Sequence, residues 1–269
     1  MNFELSEEHI TVKEAARDFA QNVLKPGVIE RDNKQEFPAA QIKELGELGF
    51  MGMMVSPEYG GSGMDTLSYV LAMEEISKVD SSTSVCMSVN NSLVCWGIEK
   101  FGTEAQKQKY LTKLATGEVI GAFCLSEPEA GSDATSQSTT AIDKGDHYLV
   151  NGQKTWTTLG HHADKIFCLV KTDLNAKPQL GISFLLIDMD TPGVEVKPII
   201  TLDGEHEVNE VWFTDVKVPK KNIVGKENEG WTYAKYLLTF ERTGIAGVPY
   251  SKSALNHLKM ISKKSLKNG

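Results

Sequence analysis

The spacing of apolar residues changes once along this 269-residue chain, near residue 118, and no other feature constrains its fold as much. Before that point, apolar side chains recur every three or four residues, which is the spacing of a helical stripe. From about residue 119 to 222, short apolar runs are separated by Gly, Pro, Asp and Asn, as in successive strands. Helical spacing returns at about residue 228. The pattern therefore predicts helices, then a β region, then helix.

Local signals mark where several helices begin and end. Ser6 stands before an acidic turn, so its hydroxyl can cap a helix whose dipole favours those charges. Thr103 can cap a later helix, which we expect to end at Gly117. The remaining helices of this part are predicted after Pro38, over 66–80 and over 82–101.

The β region contains one strong turn signal. The Asn151-Gly152 pair lies between two candidate strands in HYLVNGQKTWTT, and this dipeptide is typical of a two-residue hairpin turn. Short strands at such regular spacing favour an antiparallel barrel or sandwich.

These patterns together predict an α + β multidomain fold. It comprises an N-terminal all-α bundle (1–118), a middle antiparallel β-barrel (119–225) and the start of a C-terminal helical domain (226–269). The last helix has an apolar face without a later partner, and such a face needs a bundle to pack against. We therefore expect most of the C-terminal helical domain to be missing here, or to come from another chain.

Charge and composition exclude several classes of partner. A net charge of −8 argues against nucleic acid, since a phosphate backbone attracts the opposite sign. No apolar run approaches the ~20 residues of a bilayer span. Adjacent His161 and His162 do not make a closed metal site, so no metal is expected. The four cysteines, expected as reduced core thiols of a cytoplasmic protein, are Cys86, Cys95, Cys124 and Cys168.

Two stretches of the β region contain chemistry-bearing residues. In 123-FCLSEPEAGSD-133, the hydroxyls of Ser126 and Ser132 could hold a phosphate or a polar ring edge, or the loop could be an ordinary turn. In 152-GQKTWTTLG-160, Trp156 and Thr158 share one face of a strand. An indole beside a hydroxyl suits a flat heterocycle, although a tryptophan packed on a sheet would look the same. His206 in DGEHEVNE is expected in a polar turn, with a place beside substrate as the alternative.

Glu241 is the most unusual candidate, because the helical neighbours on its side of the last predicted helix are apolar. Burial disfavours the charged form of a carboxylate and raises its pKa, which suits a general base. The alternative is that the apolar stripe is displaced by one residue from its predicted phase, which would place Glu241 on the solvent-exposed face of the helix. The apolar neighbours are Ala234, Leu237, Leu238 and Ile245.

In combination, FGTEAQKQKYL, CLSEPEAGSD, VNGQKTWTT, DVKVPKKNIVG and ENEGWTYAK resemble the acyl-CoA dehydrogenase family, in the family's order. The resemblance implies a helical domain, a β domain and a C-terminal bundle. It also implies FAD as cofactor, an acyl-CoA substrate, an electron-transferring flavoprotein as acceptor and a homo- or hetero-oligomer. The implied reaction removes a proton from the α carbon while hydride passes from the β carbon to FAD.

The resemblance also assigns roles to individual residues. The catalytic base would be Glu241, as in the isovaleryl and long-chain branches. Many members have Tyr at the place of Phe123. Substrate contacts would come from Ser132, Thr239 and Arg242. The residues implied to bind FAD are Phe123, Leu125, Ser126, Ser132, Trp156, Thr157 and Thr158.

The sequence leaves the acyl length, a dicarboxylyl substrate and the functional class open. The first 140 residues look like the short-chain or butyryl type, whereas KTWTTLGHHADKIFCLVKTD and PIITLDGEHEVNEVWF look like the large subunit of pimeloyl-CoA dehydrogenase. Acyl length is therefore undecided, as is a dicarboxylyl substrate. An acyl-CoA oxidase-like flavoprotein and a non-catalytic remnant that binds acyl-CoA or FAD are the alternative functions.

Overall fold

The computed structural model describes residues 4–244 and 248–265, and its side-chain description omits residues 240–244, 248 and 265. Eight of the described helices precede the sheet and two follow it. Short π-helical segments, Ala20–Leu24, Val89–Cys95 and Lys107–Leu111, continue α1, α5 and α7. The helices are α1 Glu7–Phe19, α2 Val28–Lys34, α3 Ala39–Glu47, α4 Thr66–Ser77, α5 Ser81–Ser88, α6 Trp96–Phe101, α7 Glu104–Gln106, α8 Thr112–Ala115, α9 Gly230–Gly244 and α10 Val248–Ser265.

The predicted helix starts are confirmed at both capping residues. The side chain of Ser6 accepts a hydrogen bond from the N–H of His9, and the His9 ring accepts one from the N–H of Ser6. Thr103 makes the equivalent pair of bonds with Gln106. Gly117, at φ +70°, follows the last helix of this part because only a residue without a Cβ adopts that conformation freely.

The strands form one sheet with the order β6-β7-β3-β2-β4-β5-β8, and β1 pairs with β4. The pairs β1/β4 and β2/β4 are parallel, and the other pairs are antiparallel. The strands are β1 Gly121–Cys124, β2 Thr140–Asp143, β3 His147–Thr158, β4 Lys165–Lys171, β5 Ile182–Asp188, β6 Val194–Ile199, β7 Val208–Pro219 and β8 Ile223–Val224.

The helical N-terminal region and the mostly antiparallel sheet agree with prediction, but the barrel is not confirmed. Within the described residues, β6 pairs with β7 alone and β8 with β5 alone. A barrel requires its first and last strands to be hydrogen-bonded to each other. The sheet is therefore open, with β6 and β8 at its two ends.

The predicted turn at Asn151-Gly152 is wrong, because both residues lie inside β3. A Cβ on Gly152 would lie 2.5 Å from Oγ1 of Thr139, so glycine is required here by the close approach of the residue that precedes β2. The turn between β2 and β3 is at Gly145 instead, which has φ +97° and donates its N–H to Asp143. Two glycines with positive φ thus serve different purposes.

One apolar layer joins the helices to the sheet. Phe167 and Phe184 of the sheet are fully buried in it, together with Ala234 and Leu237 of α9. Separate cores lie within the helical region and on the other face of the sheet. The domain boundaries at residues 118 and 225 stay a prediction. Among the described residues, no helix has the length and hydropathy needed to traverse a bilayer.

Candidate active site

The two β-region stretches predicted to carry chemistry are hydrogen-bonded to each other. The backbone N–H of Thr155 on β3 donates to the carbonyl of Ser126, just after β1, at 2.9 Å. The Nζ of Lys154 donates to the carbonyl of Leu125 at 3.1 Å. β1 and β3 do not form a ladder with each other. These two bonds therefore form the junction, and they join residues that are about 30 positions apart in sequence.

A β-bulge turns Trp156 away from the sheet. The register of β3 against β7 shifts between Lys154 and Thr157, and Trp156 between them has φ +59°. A positive φ is uncommon for a bulky residue and is found mostly where surrounding structure holds it. The indole is 59% exposed, whereas Thr157 is buried with its hydroxyl 3.6 Å from Sγ of Cys124. Thr158 is half-buried.

A buried ion pair lies beneath this junction and was not anticipated from the sequence. Nζ of Lys154 lies 2.8 Å from Oε1 of Glu127 and 2.9 Å from Oε1 of Gln137. Burial alone raises the pKa of Glu127, but the Lys154 ammonium and backbone donors outweigh it and lower the pKa to about 2. The available signal was the alternation of β3, which assigns Lys154 to the same inward face as Tyr148 and Val150.

The other residues predicted to bind FAD differ in burial. Phe123 is half-buried, with its ring centroid 6.2 Å from that of Phe167 and 5.9 Å from that of Phe184. Ser132 is exposed in the loop after β1. Neither Ser126 nor Thr158 makes a side-chain hydrogen bond within the part of the chain that the structure describes, so both hydroxyls can bind a ligand.

Helix α9 carries the predicted catalytic residues, but the side chains of Glu241 and Arg242 lie outside the described residues. Ala234 and Leu237, two turns and one turn before Glu241, are fully buried. Thr239 is exposed, and its hydroxyl donates to the carbonyl of Lys235 on the preceding turn at 2.8 Å. The described part of α9 therefore has the apolar stripe that the sequence predicted.

A cleft of about 390 Å³ lies between α9, α6 and the loop before α4. Methionine and aromatic side chains line much of it. Neither this cleft nor a larger depression of about 540 Å³ along α2 has a predicted site residue in its lining. The residues that line the cleft are Met54, Met64, Asp65, Thr66, Trp96, Glu99, Lys100 and Tyr236.

The paired histidines at the end of β3 do not form a metal site. Rings of His161 and His162 lie against each other with centroids 4.0 Å apart. Across residues 4–239 and 249–264, no group of three or more His, Cys, Asp or Glu side chains is placed to hold a metal ion. The cysteines Cys86, Cys95, Cys124 and Cys168 are free and buried.

Comparison with known proteins identifies the family to which a chain with this fold belongs. The model of the acyl-CoA dehydrogenase N-terminal domain matches residues 6–118, and the model of the acyl-CoA dehydrogenase middle domain matches residues 122–216. The short-chain specific acyl-CoA dehydrogenase of Clostridium acetobutylicum is 42% identical over 248 residues, which are 91% of this chain and 65% of that protein.

Solved structures agree with this assignment. Butyryl-CoA dehydrogenase from Megasphaera elsdenii has a TM-score of 0.88 and 37% identity, over 95% of this chain and 69% of that one. Glutaryl-CoA dehydrogenase from Mycobacterium smegmatis in complex with FADH2 has a TM-score of 0.85 and 30% identity, over 94% and 64%. The chain belongs to the acyl-CoA dehydrogenase family, and it spans about two thirds of the length of these relatives.

Proposed function

We propose that this protein acts as an FAD-dependent acyl-CoA dehydrogenase, which introduces a double bond between the α and β carbons of an acyl-CoA thioester. The observation that carries the proposal is the junction of Ser126 with Thr155, beside the outward-turned Trp156. It joins the two stretches of chain in which the predicted flavin-binding residues lie. Membership of the family supports the same reaction.

The residues at this junction fit a flavin. An exposed indole offers a flat surface for stacking, and the hydroxyls of Ser126 and Thr158 can meet the polar edge of a ring. A Cβ added at Gly131 would have no neighbour within 4 Å, so the adjoining loop, with Ser132, has room for a phosphate. Phe123, Leu125 and Thr157 would support the ring from the ends of β1 and β3. FAD, when bound, supplies the acceptor for the hydride from the β carbon.

Protein side chains would carry out the proton transfer and hold the thioester. We assign Glu241 as the base that removes the α proton, because Ala234 and Leu237 of its helical stripe are buried and a base next to apolar surface has a raised pKa. Arg242 and Thr239 on α9, with Ser132, are assigned to the CoA moiety. Packing of α9 against the sheet would exclude water from the reacting carbons.

Substrate length is inferred from the relatives. The relative from Clostridium acetobutylicum is named as short-chain specific. We therefore infer that butyryl-CoA is closer to the preferred substrate than a long acyl-CoA.

The partners are inferred from the same features. We propose an electron-transferring flavoprotein as electron acceptor and a homo- or hetero-oligomer as the working form. We also propose the division into domains at residues 1–118, 119–225 and 226–269. Because the four cysteines are buried and free, a reducing compartment such as the cytoplasm fits this protein.

The test is a reductive titration of the purified protein. We expect a flavin absorption spectrum that bleaches without oxygen when butyryl-CoA is added. Glu241→Gln should keep the flavin and lose the bleaching, whereas the control Glu195→Gln, on exposed β6, should bleach as the wild type does. Bleaching of Glu241→Gln at the wild-type rate would show that another group is the base.

The same titration separates the alternative functions. Rapid reoxidation of the bleached flavin in air would indicate an acyl-CoA oxidase-like protein. A protein that binds no flavin and does not respond to acyl-CoA would indicate a non-catalytic remnant and contradict the proposal.

A further inference from the structure

Three histidine rings are in contact just after β3. The ring centroid of His161 lies 4.0 Å from those of both His162 and His206. On the other side, His162 stacks on Phe37 at 4.1 Å. The proposed catalysis uses none of these rings, yet two of them contact a single buried amide, the side chain of Asn209.

Asn209 on β7 is fully buried and its side chain has three polar neighbours. One is the backbone carbonyl of Thr157 at 3.0 Å, which can only accept a hydrogen bond, so the atom facing it must be Nδ2. The same Nδ2 lies 3.0 Å from Nδ1 of His161, and Oδ1 lies 2.8 Å from Nε2 of His206. The contact with Thr157 therefore determines which way the amide points.

The orientation of the amide determines the protonation of both rings. Because Nδ2 donates, Nδ1 of His161 must carry a lone pair, and because Oδ1 accepts, Nε2 of His206 must carry a proton. Partial burial, and then the proximity of His162 and His206, lower the pKa of His161 to about 4, which agrees with a neutral ring. Asn209 is thus held between the lone pair of His161 and the N–H of His206, with its donor aimed at Thr157.

Thr157 is the first residue after the bulge at Trp156, where the register between β3 and β7 is interrupted. Its carbonyl is thus anchored by a side chain of β7 at the place where the backbone ladder is irregular. We propose that Asn209 is a positioning residue for the Trp156–Thr158 segment, oriented by His161 and His206. This inference rests on the proposed flavin-binding role of that segment.

Asn209→Asp removes the amide hydrogens that bond to Thr157 and to His161. The carboxylate can still accept from His206, but it has no hydrogen to donate to the Thr157 carbonyl. His161→Phe keeps an aromatic ring in the stack and removes the acceptor for Asn209. His162→Phe is the matched control, because His162 stacks in the same group and makes no hydrogen bond with Asn209.

Two measurements on the full chain distinguish positioning from general stabilisation. Amide hydrogen exchange of residues 155–159, measured without FAD, reports how readily that segment opens. Exchange of β4 and β5 reports how readily the rest of the sheet opens. The dissociation constant and absorption spectrum of FAD report the consequence for the cofactor.

We expect Asn209→Asp to speed exchange of residues 155–159 by about tenfold and to weaken FAD binding by a similar factor, as loss of the buried hydrogen bond to Thr157 predicts. β4 and β5 should exchange at the wild-type rate. His161→Phe should show a smaller effect of the same kind, and His162→Phe neither effect.

Wild-type exchange over residues 155–159 in Asn209→Asp would overturn the inference, as would equal effects of His161→Phe and His162→Phe. If Asn209→Asp does not fold, the two phenylalanine variants decide the question. If the wild-type chain binds no FAD, the proposed function fails, while the exchange measurement still tests whether Asn209 holds this segment.

Discussion

Lys154 and Glu127 form an ion pair of 2.8 Å in which neither side chain is more than 2% exposed. Lys154 also donates to the carbonyl of Leu125, and the Glu127 carboxylate accepts the N–H groups of Ser138 and Thr139. A single buried pair thus ties β3 to the loop after β1. Since these two elements carry most of the residues predicted to bind FAD, we expect the pair to stabilise their relative positions.

Replacing Lys154 by Met should destabilise the protein by about 3–5 kcal/mol, because it leaves the Glu127 carboxylate buried without its counter-charge. The double variant Lys154→Met/Glu127→Gln should lose less, since the unpaired charge is gone. Urea unfolding of both variants and of Glu127→Gln completes the cycle. Additive effects of the two substitutions would show that the residues are not coupled.

Glu127 should make stability fall at acid pH. Its pKa in the folded protein is about 2, below the ordinary 4.5, so the stabilisation is present above pH 4.5 and is lost as the pH falls from 4.5 through 2. Unfolding free energies measured across that range should decline less steeply for Glu127→Gln. The same slope in both proteins would assign the acid loss to other carboxylates.

His161 should make stability begin to fall at a higher pH than Glu127 does. Its folded pKa of about 4 lies below the ordinary 6.5, so between these values the unfolded chain binds a proton that the folded protein does not. Stability should decline as the pH falls from 6.5 to 4, and His161→Phe should reduce that decline. His257→Phe, on exposed α10, is the control and should leave the profile unchanged.

Gly152→Ala should destabilise the sheet by about 1–3 kcal/mol. The added Cβ would lie 2.5 Å from Oγ1 and 2.6 Å from Cα of Thr139, and φ is +150°. Gly131→Ala adds the same atom where nothing lies within 4 Å, so its melting temperature should stay close to the wild-type value. Similar melting temperatures for the two variants would contradict the close approach at Gly152.

Trp156→Ala should weaken FAD binding by about 2- to 10-fold, the loss expected for one aromatic contact of about 0.5–1.5 kcal/mol. Stability of the FAD-free chain should change little, because the indole is 59% exposed. Fluorescence titration with FAD and thermal unfolding measure the two quantities. Trp212→Phe on β7 serves as the control, and equal losses of affinity would remove Trp156 from the site.

Features that depend on neighbouring residues could be predicted from the sequence. Capping by Ser6 and Thr103 needs only a hydroxyl three residues before a free N–H, so both caps are found where they were expected. The apolar spacing of α9 likewise predicted the burial of Ala234 and Leu237. The two stretches that meet at the junction were also recognised, although their contact was not.

Features that depend on another strand could not be predicted in this way. Asn151-Gly152 has the composition of a turn, yet both residues lie inside β3, where the glycine leaves room for Thr139. The expected barrel failed for a similar reason, because closure depends on whether β6 and β8 pair, and no local pattern of either strand specifies that.

By itself, the sequence determined the order of helix and strand, the helix caps and the residue types available for flavin chemistry, because these follow from periodicity and from contacts within a few residues. The tertiary structure alone decided that the register shift turns Trp156 outward, that Glu127 pairs with Lys154 in the interior, and that Asn209 reaches Thr157. Each of these features depends on residues that are 27 or more positions apart in sequence. Such residues come into contact only when the strands pack together.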